Sequence, residues 1–181
     1  MKMKAYIGEV ERKSGSSLYT LKNVVEAQSF VRQLIDLLAR HVMQAEKMAK
    51  DIDGVNRNYG PWASTLSCKG TAGQTFLGVV IGDGDGAVTI SQYALQNQLT
   101  TNIAHGTVSF AGPTISGASC YIDVIRTFTN NTGAGITIKE VGLYVNAYGP
   151  PVFSMIDRSL YELAIGNTEA KTLAYRITVT V

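Results

Sequence analysis

Leu173, Tyr175, Ile177, Val179 and Val181 alternate without a break with Thr172, Ala174, Arg176, Thr178 and Thr180. A period of two over ten residues is the signature of a half-buried β-strand, because successive side chains leave a strand on opposite faces. A strand cannot bury one face alone, so the rest of the chain must supply partners. The preceding hundred residues do so in short apolar runs cut by Gly, Pro and Asn. Phe76–Ile81 ends at Gly82, and Tyr121–Phe128 and Ile136–Val145 flank the turn Asn130–Gly135. Val152–Asp157 follows Pro150 and Pro151, and Val108–Phe110 and Ile115–Ile122 add further strands. This spacing predicts an antiparallel β-sandwich over residues 63–181.

The front of the chain carries a different period. Val24, Gln28, Val31, Ile35, Leu38, Val42, Ala45, Ala49 and Ile52 follow strict 4-3 spacing. Asn23 and Glu26 form a variant capping box, Lys47 and Lys50 suit a helix C-terminus, and Gly54 stops the pattern. The expectation is one continuous helix over 24–53, roughly 45 Å long, with the apolar members of that stripe as its interface. Phe30, Leu34, Leu37 and Met48 widen the stripe, which suits a helix lying on a sheet as well as an oligomeric bundle. His41 lies beside it as a surface or interface histidine. The expected fold is therefore α+β: an N-terminal arm and long helix over 1–53, a linker at 54–62 and the sandwich beyond.

Composition separates the same two parts. Residues 1–53 hold 9 basic and 7 acidic residues, whereas 54–181 hold 7 and 7. A surface of about 11% charged residues, rich in Thr, Ser, Asn and Gly, is sparse for a solvated monomer and points to contact with other subunits. A net charge of +2 offers no basic footprint for nucleic acid. No stretch nears the ~18 apolar residues of a membrane helix, and no apolar run follows Met1–Lys4 to make an export signal. Cys68 and Cys120, without CxxC partners, read as reduced, packed thiols.

Few motifs carry chemistry. Gly82-Asp83-Gly84-Asp85-Gly86 resembles a fragment of a calcium loop, with Asp83 and Asp85 as weak ligands. It lacks the later ligands of an EF-hand, and a plain tight turn is favoured. The apolar phase changes between Ile138 and Val141, beside Gly142. This predicts a β-bulge near Glu140 that aims its carboxylate either out to solvent or into a structural ion pair, with Arg126 and Arg158 as candidate partners. Asn130-Asn131-Thr132 reads as a hairpin turn rather than a glycosylation site. His105 lacks an acid partner, and Trp62 with Tyr59 reads as a packing corner. No nucleophile motif occurs, no cofactor is implied, and no enzyme or small-molecule substrate is expected.

Several of these runs resemble a known family. Val79-Val80-Ile81-Gly82-Asp83-Gly84-Asp85, then Ser91-Gln92-Tyr93-Ala94-Leu95, then Arg126–Gly133 and Ile136–Tyr144, are similar to β-sandwich virion proteins of tailed bacteriophages. Ile156-Asp157-Arg158 and Leu173–Val179 share that style, so the resemblance spans roughly 76–181. Asp83 and Asp85 stand where small hydroxyl residues are usual, and Gln92 where an acid is common. The resemblance implies a structural protein of tail, baseplate, fibre-attachment or head, made in the host cytoplasm and working in the virion. Its expected partners are other copies of itself and neighbouring virion proteins, with threefold symmetry favoured by β-branched residues at both seam positions. The alternative is a receptor- or glycan-binding module, which would need a concave, aromatic-lined face.

Overall fold

The computed structural model describes residues 2–12, 19–27, 30, 32–43, 47–59, 66–146 and 152–181. Its elements are β1 (Lys2–Arg12), β2 (Tyr19–Glu26), α1 (Arg32–Met43), β3 (Lys47–Lys50), β4 (Asn56–Tyr59) and β5 (Gly78–Gly82). Then follow β6 (Ile103–His105), β7 (Ser109–Ser116), β8 (Ser119–Asn130), β9 (Ile136–Asn146), β10 (Phe153–Ile165) and β11 (Ala170–Thr180). The fold is mostly antiparallel β-sheet. The larger sheet runs β2-β1-β11-β8-β6, with β7 also on β8; the smaller runs β10-β9-β5, and β3 pairs with β4.

The alternating C-terminal run forms β11, the centre of the larger sheet. It pairs with β1 on one side, from Lys2↔Thr180 to Glu9↔Leu173, and with β8 on the other. The two ends of the chain are thus sheet neighbours. The inner faces of the larger and smaller sheets share one core. Ile7, Val124, Phe128, Leu173 and Tyr175 come from one side; Val79, Ile81, Ile138, Val141, Leu143 and Ile165 come from the other. A second, smaller cluster of Val80, Leu95, Tyr144 and Met155 lies on the opposite face of the smaller sheet. There the segment after β5 covers it, and the Leu95 N–H donates to the Tyr144 hydroxyl at 2.8 Å.

No continuous helix spans 24–53. Val24, Val25 and Glu26 belong to β2, α1 covers only twelve residues, and Lys47–Lys50 is a strand. β-Branched Val24 and Val25 fit a pleated ladder better than a helix, and β1 offers them one, with Ile7↔Val25 and Tyr6↔Glu26 in register. Asn23, expected as a cap, instead takes φ 49° at the shift in that ladder. Glu26 pairs with Lys4 at 2.8 Å. Gly54 closes a tight turn rather than a helix, at φ 78°. There the buried Asp51 carboxylate accepts the Val55 N–H at 2.8 Å and holds Arg57 at 2.8 Å.

Among the described side chains of α1 the buried ones are Leu34 and Leu37, from the wider stripe, while Ile35 of the 4-3 stripe is 59% exposed. Both leucines join the inter-sheet core, so α1 packs inside the molecule. The seam positions that favoured threefold symmetry therefore do not lie along one helix.

The expected hairpin is also corrected. Residues 121–128 lie in β8 of the larger sheet and 136–145 in β9 of the smaller, so the turn between them crosses from sheet to sheet. Asn130, wholly buried, organises that crossing. Its amide donates to the carbonyls of Ala134, Ile165 and Gly166 at 2.7–3.1 Å, and its Oδ1 accepts from Thr132. A five-residue connection leaves the strand register open, so distant β11 and β10 outcompete the sequence neighbour. A register shift near Glu140, in contrast, is present, though in the β9–β10 ladder and with the extra residue on β10. The β9–β10 register shifts between Glu140↔Leu160 and Ile138↔Leu163, one residue from Glu140.

Candidate functional site

Two places stand out, and only the first gathers residues singled out in the sequence. The first is built around Glu140. The phase change in β9 sends Ile138, Val141 and Leu143 into the inter-sheet core and turns Glu140 to the other face of the smaller sheet. There its carboxylate meets Arg158 of β10 at 2.5 Å, with both side chains fully buried. The chain after β5 wraps over the pair. The backbone N–H groups of Gly84, Gln96 and Asn97 donate to the Glu140 oxygens at 2.8–3.3 Å. Arg158 also donates to the Gly86 carbonyl at 2.9 Å and the Gln92 side chain at 3.2 Å.

This closure explains the glycine turn. A Cβ on Gly82 would stand 2.5 Å from Glu140 Oε1, and one on Gly84 2.7 Å from it. The glycines let backbone approach a buried carboxylate, which is a structural use of the motif. Asp83 hydrogen-bonds Asn97, and Asp85 pairs with Lys139 at 3.1 Å on the surface. Their carboxylates therefore diverge to separate partners. Among the described residues no three His, Cys, Asp or Glu side chains cluster as metal ligands would. Gly142 has a similar reason, since a Cβ there would come within 2.9 Å of Leu95.

Arg126, the other candidate partner for Glu140, lies elsewhere. It sits on the inner face of β8, almost wholly buried, and gathers carbonyls from the segment leading into β5, from β5 itself and from the residue after β6. These are Leu77 at 2.7 Å, Val79 at 3.1 Å, Gly106 at 2.9 Å, and Gln74. Burial pushes its guanidinium down to about 10, still charged at neutral pH. His105, which had no acid partner in the sequence, lies in β6. Its ring packs edge-on against Phe128, its Nε2 meets the Leu99 carbonyl at 3.1 Å, and burial lowers its pKa. These are core contacts.

The second place was not read from the sequence. Across the core face of the larger sheet, the register lines up three rows. Ile7, Tyr175 and Val124 form the first and are buried, with Phe110 beyond them 53% exposed. Ala5, Ile177 and Ile122 form the second, and Ile122 is 42% exposed. Met3, Val179, Cys120 and Ile115 form the last, with Met3 45% and Ile115 81% exposed. The apolar face thus continues past the part that the core covers. The sequence carries a signal for it, since Met3, Ala5 and Ile7 alternate with Lys2, Lys4 and Tyr6 in the segment expected as an arm.

The expected interface stripe does not form this surface. Val24 is half exposed on β2, Ile35 faces solvent on α1, Leu38 is half-buried, Ala49 is buried in β3 and Ile52 is half-buried. Val31 and Ala45, the side chains of Val42, His41 and Tyr59, and Trp62 lie outside the described residues. Of the two cysteines, Cys68 is the packed thiol, and burial pushes it up to about 12. Cys120 is exposed on the last row, contrary to the expectation for both.

No helix among the described residues is long and apolar enough to cross a membrane. Comparison with protein-family models, with curated proteins and with solved structures finds no match to this chain.

Proposed function

We propose that this protein is a non-enzymatic structural component of a tailed-bacteriophage virion. In this reading the two sheets form a β-sandwich that assembles through contacts with further copies of itself. The observation that carries the reading is the graded apolar face ending at Met3, Val179, Cys120 and Ile115. An uncharged, flat row of this kind is matched best by another of the same kind, because no buried charge then has to be paired. The free edge of β7 beside it is guarded. The register breaks between Ala111 and Thr114, where Pro113 offers no N–H. Association is therefore face to face, not by strand addition. The low charge of residues 54–181 and the family resemblance of 76–181 support the same reading.

Sedimentation or light scattering across a hundredfold range of concentration tests it. The wild-type chain is expected to associate, and Ile115→Asp and Ile122→Asp to remain monomeric, since a charge buried without a partner costs several kcal/mol. A wild-type monomer at every concentration would refute self-assembly. Mass spectrometry of purified particles tests the virion role directly.

A further inference from the structure

The opposite face of the larger sheet carries a groove of about 570 Å³. It exists because β2 does not stay flat. The β1–β2 register shifts between Ile7 and Glu9, and Asn23 adopts its left-handed φ there. β2 then curls over the outer face, so that Tyr19 donates its hydroxyl to Asp123 on β8, although β1 and β11 lie between their strands. Asp123 and Ala174, on the outward side of the sheet, are wholly buried beneath it. The wall is Tyr19, Leu21 and Val24, and the floor carries Tyr6, Tyr121 and Arg176.

We propose that this groove binds a neutral saccharide. Three tyrosines from three strands line it, and a pyranose presents an apolar C–H face that packs on such rings while its hydroxyls point to the rim. The rim supplies hydroxyls in turn: Ser116, Ser119, Thr178 and Thr180. Ser119 and Thr180 are fixed against each other at 2.8 Å. Thr178, more than nine-tenths buried, has no partner for its hydroxyl.

The charges argue against ionic ligands. Arg176 is clamped by both Asp123 oxygens at 2.7 and 2.8 Å, and its guanidinium lies 3.8 Å from the centre of the Tyr121 ring. It is neutralised and cannot turn to a phosphate or carboxylate without leaving Asp123 buried and unpaired. Asp123 is likewise spent and cannot hold a cation. What remains is a preformed, aromatic, hydroxyl-rimmed cleft within the usual ligand size of about 300–1,000 Å³. The inference is independent of self-assembly, because the groove and the apolar rows lie on opposite faces.

An array of immobilised neutral and acidic oligosaccharides, probed with the full chain, tests this, with titration calorimetry of the glycans bound. Neutral glycans are expected to bind. Tyr121→Ala, which removes a central ring, and Val24→Arg, which fills the groove from its exposed rim without touching the floor, should each weaken binding by at least about tenfold. Ile115→Asp should leave it unchanged while altering the mass of the protein. No neutral glycan bound, acidic glycans bound instead, or affinity unchanged in the folded Val24→Arg variant would each overturn the proposal.

Discussion

Glu140 and Arg158 form an ion pair of 2.5 Å in which neither side chain reaches solvent. Two charges taken out of water are costly, and their attraction offsets that cost only when the remaining lone pairs and protons also find partners. Here the chain after β5 provides most of them: three backbone N–H groups for the carboxylate, and the Gly86 carbonyl and Gln92 side chain for one guanidinium nitrogen, while Arg158 Nη2 has no partner among the described residues. The pair thereby fastens that long irregular segment to the outer face of the smaller sheet, over Val80 and Tyr144. Closing on a carboxylate requires bare backbone at Gly82 and Gly84, whereas a Cβ on Gly86 would meet the Gln96 side chain.

Two substitutions measure this fastening. Arg158→Met leaves a buried carboxylate without its cation and is expected to lower the unfolding free energy by about 3–5 kcal/mol. Gly82→Ala forces a methyl to within 2.5 Å of Glu140 Oε1 and should cost about 1–3 kcal/mol. Gly135→Ala is the control, since the nearest atom to its Cβ lies 3.9 Å away. Urea titrations should separate the first two from the third.

Asp157 gives the protein a distinctive pH dependence. It is fully buried in β10 and accepts the Ser159 hydroxyl at 2.9 Å, while its other oxygen has no partner. Burial pushes its carboxyl up to about 7, with the neighbouring Tyr175 and Ser159 hydroxyls opposing the rise. In the unfolded chain the same group titrates near 3.9. Between these values the native state holds a proton that the unfolded state has lost. Stability from this group therefore falls as pH rises from about 4 to 7, by about 1.4 kcal/mol per unit, and is level outside that window. Asp157→Asn should remove that component. Denaturation midpoints of both proteins across the window check it, and parallel curves would contradict it.

The two cysteines should separate cleanly toward a thiol reagent. Cys120 is exposed and should react at once, whereas Cys68, held up to about 12 by burial, should react only on unfolding. Because Cys120 sits between Val179 and Ile115 in the outermost apolar row, its reaction rate should also fall as the protein is concentrated. In Ile115→Asp the rate should be independent of concentration. A concentration-independent rate in the wild type would place the subunit contact elsewhere.

Several features were legible in the residues themselves. The alternation of 172–181 is β11, the apolar run before Gly82 is β5, and the phase change beside Glu140 is a register shift in the β9–β10 ladder. Each depends on the side-chain period along one strand, which neighbouring residues set between them. Glu140 and its two possible arginine partners were named for the same reason, because a carboxylate turned out of phase needs a cation.

What the tertiary structure decided was partnership. Asn130 ends a strand in either reading, but only packing determines that β8 joins β11 and β9 joins β10, because a slack turn leaves both pairings open and the larger buried ladder wins. Val24 and Val25 fit a helical stripe at 4-3 spacing and a strand equally well until β1 presents an open edge, and β1 itself is a strand only because β11 lies beside it. Arg158 rather than Arg126 reaches Glu140 because the two arginines lie in different sheets. The apolar rows and the tyrosine groove exist only once strands far apart in the chain stand in register. One-dimensional periodicity states which face of a strand is apolar; which strand lies next to it, and what is left uncovered, are properties of the assembled sheets.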